Sequence, residues 1–290
     1  MQSNDARRGI GLMIATTAVF AAQDGISRYL AAEYNVVLIV MIRYWFFALF
    51  VLAISARRPG GIRGVARTRQ PVLQIFRGVL LVAEIGVTVL AFTLLGLIGT
   101  HTIFAVYPLM IAALSGPVLG EAVGWRRWAA IGVGFLGVLV ILRPGFGVFA
   151  PEALIAVLAA FMFAAYGLAT RFVARDDDAA TSFFWTGIAG AAAVTLALPF
   201  VWEPLAPRDW GWMAVLCVTG ALGHWLLIKA YEAAEASTVQ PFAYFQLVFV
   251  SVIGLTIFGE TLDGWTAAGA AIVVGAGLYT LWRERRRAAR

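Results

Sequence analysis

The sequence contains a single cysteine, Cys217, and two histidines, His101 and His224, among 290 residues. One cysteine cannot form an intramolecular disulfide, and neither a Cys₄ nor a Cys₂His₂ zinc site can be assembled. The sequence also lacks a Walker A phosphate-binding loop, an HExxH motif and a CxxC pair. We therefore expect no metal and no cofactor, and primary pumping by this chain alone is not indicated.

Charged residues are scarce as well. They make up 13% of the chain, whereas soluble domains have about 25%, and 61% of the residues are hydrophobic. The hydrophobic residues gather in ten blocks of roughly twenty, long enough to cross a ~30 Å hydrocarbon core as helices. The sequence predicts an all-α polytopic membrane protein with spans at Gly9–Ala31, Val36–Ser55, Val72–Leu95, Gly99–Gly120, Trp125–Leu142, Ala153–Val173, Thr181–Val201, Trp210–Tyr231, Ser237–Phe258 and Trp265–Trp282.

The segments that connect the predicted spans indicate how the chain is oriented in the membrane. The longest gap is Ala56–Pro71, too short for a soluble domain, and the first block is expected to be a retained anchor, not a signal peptide. With the N-terminus inside, seventeen of the 22 arginine and lysine residues lie in inward segments and three in outward segments. Cytoplasmic loops are enriched in these residues, which predicts both termini in the cytoplasm. The alanine- and arginine-rich composition indicates a bacterial protein, and hence the inner membrane. The net charge of +6 then faces anionic lipid, and no nucleic-acid partner is expected.

One short stretch occurs twice. FAAQDGISRYLA covers Phe20–Ala31, FAAYGLATRFVA covers Phe163–Ala174, and five of the twelve positions are identical. Ten spans divide into two sets of five, and because five is odd the second set must enter the membrane upside down. The sequence therefore predicts two inverted five-helix repeats, residues 1–145 and 146–290, related by a pseudo-two-fold axis in the membrane plane.

A second, weaker match supports the inversion. Ala91–Glu121 aligns without a gap on Ala230–Glu260 at an offset of 139 residues. This alignment pairs a Gly-Glu step at the end of the fourth span with another at the end of the ninth: Gly120-Glu121 and Gly259-Glu260.

Together these features resemble the drug/metabolite transporter superfamily, EamA-type branch, across essentially the whole chain. The arginine-containing IRYWF at Ile42–Phe46 and RRWAAIGVGFLGVLVILRPG at Arg126–Gly145 also match that pattern. The resemblance implies a secondary transporter that exports amino acids or related metabolites by alternating access around a midplane cavity. Other branches carry drugs, nucleotide sugars or S-adenosylmethionine, so a carrier of that kind is the alternative.

The sequence departs from the family pattern in its prolines: Pro108 in the fourth span has Leu247 at its repeat position, while Pro241 lies nearer the start of the ninth. The two helix breaks are therefore expected to differ.

Ionisable groups within spans are candidates for substrate binding because they are costly there. Glu84 lies near the middle of the third span, and His224 is its approximate repeat counterpart in the eighth. The hypothesis is that both line a central cavity and that one of them titrates during transport. The alternative is that both are hydrogen-bonded packing residues.

Tyr107 and Gln246 form a repeat-matched pair near the centres of the fourth and ninth spans. With other aromatic residues they predict a mildly polar, ring-lined cavity suited to amino acids with apolar or aromatic side chains. These residues are Phe163, Tyr166, Trp225, Tyr231 and Tyr244. The alternative is packing or lipid contact.

Several other in-span charges have structural interpretations. Asp24 and Arg28 have the i, i+4 spacing of an ion pair. Arg77, near a span end, is expected to extend towards the lipid headgroups. The partner of Arg43 is either Asp24 or Glu84, and spacing does not select between them.

Glu121 and Glu260 are expected at helix ends or in loops. Glycines in the fifth and tenth spans predict close helix packing and at most a weak homodimer: Gly132, Gly134, Gly137, Gly269, Gly275 and Gly277.

Other classes of function remain open. An intramembrane enzyme or lipid-handling protein would need clustered catalytic groups near an interface, and a channel would need a continuous polar pore. The scattered polar residues favour neither, so no catalytic residue is assigned. The expected partners are a small-molecule substrate and the lipid bilayer, with the protein as a monomer or weak homodimer.

Overall fold

The computed structural model describes residues 5–120, 124–142 and 151–288. Within these ranges the chain forms helices and no strand, which confirms the predicted all-α polytopic class. We number the ten main helices α1 (Ala6–Ala31), α2 (Val36–Ala56), α3 (Pro71–Phe104), α4 (Tyr107–Leu119), α5 (Trp125–Leu142), α6 (Ala153–Val173), α7 (Ala179–Thr195), α8 (Trp210–Ala233), α9 (Phe245–Ile257) and α10 (Gly264–Ala288). Five of these, α1, α2, α3, α6 and α8 with its preceding turn, are individually long and apolar enough to cross a membrane.

Local sequence explains where several helices begin. Asp5, Asn35 and Asp178 each precede a helix, and their side-chain oxygens accept hydrogen bonds from backbone N–H groups two or three residues further on. Pro71 is the first residue of α3, where its missing N–H group costs no helical hydrogen bond. These starts therefore follow from short-range chemistry.

Helix α3 leaves helical geometry at Gly96, whose φ of 76° favours glycine. Its two arms, residues 71–95 and 97–104, belong to the third and fourth predicted spans. The fourth span continues into α4 after a break at residues 105–106.

The ninth span has a comparable break. A short helix, Ala236–Val239, leads into a 3₁₀ helix, Gln240–Tyr244, and then into α9. The repeat offset of 139 residues places this 3₁₀ stretch opposite residues 101–105. The breaks therefore nearly match in position but differ in geometry, in line with the unequal prolines.

The helix contacts keep their pattern when the two halves are exchanged. Helix α1 packs on α8, and correspondingly α6 packs on α3; α1 also packs on α9, as α6 does on α4. The α2–α7 and α5–α10 pairs map onto themselves. This is the contact pattern of a pseudo-two-fold axis between two five-helix repeats. The exact division at residues 145 and 146 stays a prediction, because residues 143–150 lie outside the described ranges.

Helices α5 and α10 approach closely through Gly137 and Gly269. A β-carbon on Gly137 would lie 2.9 Å from the carbonyl oxygen of Gly269, and one on Gly269 would lie 2.7 Å from that of Gly137. Larger residues would push the helices apart. Gly132 and Gly275 instead face open space, so only part of the predicted glycine set serves this packing.

Candidate functional site

A cavity of about 30 Å³ lies at the centre of the bundle, among helices of both halves. It has space for little more than one or two water molecules. Its walls combine charged, amide and aromatic side chains: Phe20, Gln23, Asp24, Arg43, Glu84, Ile85, Thr88, Val89, His101, Phe104, Phe163, His224 and Gln246. So many polar side chains meeting in one buried space make it the candidate binding site.

One wall of the cavity is a chain of hydrogen bonds around Asp24. Arg43 Nη2 donates to Gln23 Oε1 (2.8 Å), and Gln23 Nε2 donates to Asp24 Oδ1 (3.3 Å). Gln246 Nε2 donates to Asp24 Oδ2 (2.9 Å), and His101 Nε2 lies 3.0 Å from the same oxygen. All five side chains are more than nine-tenths buried. The amide of Gln23 thus connects a buried guanidinium to a buried carboxylate.

The predicted ion pair between Asp24 and Arg28 is therefore wrong. Asp24 faces the cavity, where Gln23 and Gln246 donate to it, while Arg28 pairs with Glu260 one turn nearer the helix end. The open choice of partner for Arg43 is also resolved. It binds the amide of Gln23 and reaches Asp24 only through it.

Glu84 and His224 lack comparable partners. The carboxylate of Glu84 accepts a hydrogen bond from Thr88 Oγ1 (2.6 Å), and it forms no ion pair within the described part of the chain. Neither ring nitrogen of His224 has a hydrogen-bond partner there. Both side chains are 3% exposed. Buried polar atoms without partners are costly, so the two ring nitrogens of His224 are candidates for hydrogen bonds to a ligand, and Glu84 is a candidate for binding a cationic group.

Aromatic rings surround Phe163 on the opposite side of the cavity. Its ring centroid lies 4.9 Å from that of Tyr107, 5.5 Å from Phe104 and 6.1 Å from Tyr166. Phe20 lies 6.4 Å away and also contacts the His224 ring at 5.0 Å. Tyr107 and Tyr166 thus stand behind Phe163 and do not line the cavity.

Of the residues predicted to bind substrate, the structure brings Glu84, Phe163, His224 and Gln246 into one cavity. It places Trp225 and Tyr244 elsewhere. Trp225 lines a groove on the outside of the bundle. Successive residues of an α-helix are rotated by about 100°, so Trp225 points away from the cavity that the preceding residue, His224, faces. Tyr244 packs against α10, where a β-carbon on Gly277 would collide with its ring.

Sequence reasoning did not place five of the lining residues in the candidate site: Phe20, Asp24, Arg43, His101 and Phe104. For Asp24 and Arg43 a signal was available, because each is a charge deep within an apolar span. For the two phenylalanines no such signal exists in a chain with 20 of them.

Arg77 does not extend to the headgroups as expected. Its side chain is completely buried, and its nitrogens donate to Thr170 Oγ1, Thr186 Oγ1, Gln74 Oε1 and the carbonyl oxygen of Ser182 at 2.9–3.2 Å. Acceptors on α3, α6 and α7 satisfy the guanidinium inside the protein, so it has no need of headgroup contact. This network ties the two halves together.

A larger cavity of about 820 Å³ lies where α1 ends and α10 begins. Glu260 stands in its wall and accepts hydrogen bonds from the backbone N–H groups of Leu97 (2.8 Å) and Ile98 (2.7 Å). The same carboxylate pairs with Arg28, whose guanidinium lies 4.4 Å from the centre of the Phe258 ring. Glu260 therefore caps the second arm of α3, as its predicted helix-end role requires. Glu121, its repeat counterpart, lies outside the described residues.

Replacing Glu260 by glutamine is expected to destabilise the protein by about 1–3 kcal/mol, because an amide has one acceptor oxygen for two N–H groups and no charge for Arg28. Thermal unfolding in detergent measures the effect as a fall in midpoint temperature. Glu33→Gln, an exposed residue in the connection after α1, is the matched control and should leave the midpoint unchanged. Equal shifts in the two variants would contradict the capping role.

The sequence matches the EamA-like transporter family over residues 7–143 and again over residues 150–282. These two segments cover almost the whole chain, one in each half. The chain belongs to the EamA-like transporter family. The resemblance seen in the sequence is thereby confirmed, and this EamA-like protein is a multi-pass membrane transporter of small molecules.

Two relatives and one solved structure illustrate the family. The EamA-like chain is 27% identical over 289 residues to the S-adenosylmethionine uptake transporter of Rickettsia bellii, with 98% of each chain covered. It is 28% identical over 284 residues to the riboflavin transporter of Vibrio cholerae, covering 94% of this chain and 93% of the relative. A crystal structure covers 96% of this chain and 98% of its own with a TM-score of 0.71 at 16% identity, which shows the fold alone. Neither named relative is an amino-acid exporter.

Proposed function

We propose that this EamA-like transporter carries S-adenosylmethionine or a similar organic cation with an amino-acid group and an aromatic ring. The observation that carries the proposal is one buried cavity in which the carboxylates of Asp24 and Glu84, the guanidinium of Arg43 and several phenylalanine rings meet. The full-length similarity to a relative named as an S-adenosylmethionine uptake transporter supports the same substrate class.

The chemistry of the cavity corresponds to the groups of that substrate. Its ammonium and sulfonium charges require an anionic acceptor, and Glu84 has a carboxylate that no described cation neutralises. The substrate's carboxylate requires a hydrogen-bond donor, and the guanidinium of Arg43 has several N–H groups that can bind it. Its adenine ring can stack on phenylalanine rings, and the unpartnered nitrogens of His224 can hydrogen-bond to it.

The described conformation is closed around this site. A cavity of about 30 Å³ is far too small for any of these molecules, so binding requires the helices of the two halves to separate. Two repeats related by a pseudo-two-fold axis can open to either side by equivalent movements, which is the basis of alternating access.

A second candidate is an amino acid with an apolar or aromatic side chain, with export as the family resemblance implies. The presence of both Arg43 and Glu84 in the lining of one cavity favours it, because a zwitterion needs one cationic and one anionic partner. Riboflavin, in contrast, bears no ammonium or carboxylate group. Its transport would leave the buried charges without ligand partners.

Substrate competition in liposomes tests the proposal. Unlabelled S-adenosylhomocysteine keeps the adenine and amino-acid groups but replaces the sulfonium by a neutral thioether. We expect it to inhibit uptake of labelled S-adenosylmethionine at least about tenfold more weakly than S-adenosylmethionine itself, because one charged contact of about 1.5 kcal/mol or more is lost.

The same liposomes separate the alternatives. Saturable transport of phenylalanine or methionine without transport of S-adenosylmethionine would establish the second candidate. Equal inhibition by the sulfonium and thioether compounds, or transport of riboflavin alone, would contradict the proposal.

A further inference from the structure

A second concave surface lies on the outside of the bundle, between α2, α7 and α8. It encloses about 370 Å³, and we call it the lateral groove. Its walls are mainly apolar and aromatic, with one arginine at the end: Phe46, Phe50, Phe183, Leu222, Trp225 and Arg58. It shares no lining residue with the central cavity, so it is not part of the substrate site.

We propose that the lateral groove binds an acyl chain of an anionic phospholipid whose phosphate is held by Arg58. The length of the groove fits one leaflet. Phe46 lies ten residues before the end of α2 at Ala56, which is about 15 Å along the helix and half of a ~30 Å hydrocarbon core. Arg58 follows two residues later, at the level where headgroups begin.

The charge at the end of the lateral groove favours an anionic lipid headgroup. Arg58 is exposed and has no ion-pair partner in the described part of the chain. Lys229 lies 5.2 Å from the centre of the Trp225 ring, but it is neutralised by Glu232 at 2.5 Å. One uncompensated cation therefore stands at the end of the groove. It favours a lipid with net negative charge over one whose phosphate is balanced by choline.

The floor of the groove is closed towards the core. Phe183 contacts the buried Phe47 ring at 4.6 Å on one side and Trp225 at 5.1 Å on the other. An acyl chain would therefore lie against these rings from the membrane side, where Phe50 is 41% and Leu222 44% exposed. Because Trp225 lines the groove, its fluorescence can report contact with this lipid.

Brominated lipids test the proposal, because bromine quenches tryptophan fluorescence on contact. The protein is reconstituted with brominated phosphatidylglycerol or brominated phosphatidylcholine at equal mole fraction, and the Trp225 component is isolated by subtracting the quenching of Trp225→Phe. We expect this component to be several-fold larger with phosphatidylglycerol.

Two arginine variants sharpen the test. Arg58→Gln should abolish the preference, whereas Arg63→Gln, an exposed residue of the neighbouring short helix Gly61–Ala66 outside the groove, should keep it. Equal quenching by the two lipids in the native sequence, or a preference that survives Arg58→Gln, would overturn the proposal.

Mass spectrometry of detergent-released protein gives a second readout: retained phosphatidylglycerol in the native protein and its loss in Arg58→Gln. Neither readout depends on transport, so the outcome is independent of the proposed substrate.

Discussion

Glu84→Gln is expected to reduce transport of a cationic substrate by about 10–100-fold while the protein remains folded. A charge-assisted contact contributes about 1.5–3 kcal/mol, and each 1.4 kcal/mol corresponds to a factor of ten. The fold should tolerate the change because the side-chain oxygen of glutamine can still accept the hydrogen bond from Thr88. Initial rates in liposomes across a range of substrate concentrations give the measurement.

The control for this experiment is Glu152→Gln. Glu152 is exposed just before α6 and caps no helix through its side chain, so the same chemical change there should leave transport unaltered. If Glu84→Gln has the native rate and the native pH dependence, Glu84 is a packing residue and the binding hypothesis fails. A matching loss in both variants would point to a non-specific effect of removing charge.

Arg77→Met is expected to destabilise the protein by roughly 2–4 kcal/mol. Methionine fills the space of the arginine stem but leaves the acceptors of Gln74, Thr170 and Thr186 buried without donors. A buried group left wholly unsatisfied costs about 1–3 kcal/mol, and the total stays near this range because the hydroxyls of Thr170 and Thr186 still donate to backbone carbonyl oxygens. The effect should appear as a fall of roughly 5–15 °C in the apparent unfolding temperature in detergent.

Arg69→Met provides the comparison for Arg77. The Arg69 side chain is 81% exposed, and among the described residues it forms one ion pair, with Asp176 at 4.0 Å. Its replacement should change stability by less than about 0.5 kcal/mol. If both variants shift the unfolding temperature equally, the buried network does not hold the halves together, and headgroup contact for Arg77 regains support.

Much of the architecture was available from the sequence. Apolar blocks of bilayer length located the spans, and two copies of one helix end, Phe20–Ala31 and Phe163–Ala174, indicated the duplication. These signals are local, because length and repetition depend only on the order of residues. The break at Gly96 was implied only as the gap between the third and fourth spans.

The site was predicted only in part, and the failures have one cause. Asp24 and Arg28 are four residues apart, yet one faces the cavity and the other binds Glu260 in a distant loop. Arg77 was expected at the headgroups, although acceptors from α6 and α7 enclose it. In each case the deciding partner comes from a helix or loop far away in the sequence.

By itself, then, the sequence determined the helical membrane class, the ten spans and the repeat, since these follow from hydrophobic length and internal similarity. Tertiary structure alone decided which face of each helix is buried. In a soluble protein the apolar stripe marks that face, but here lipid and protein core are equally apolar and the helices carry little periodic contrast. That is why His224 faces the cavity and the adjacent Trp225 faces the membrane, although both were candidates for one site.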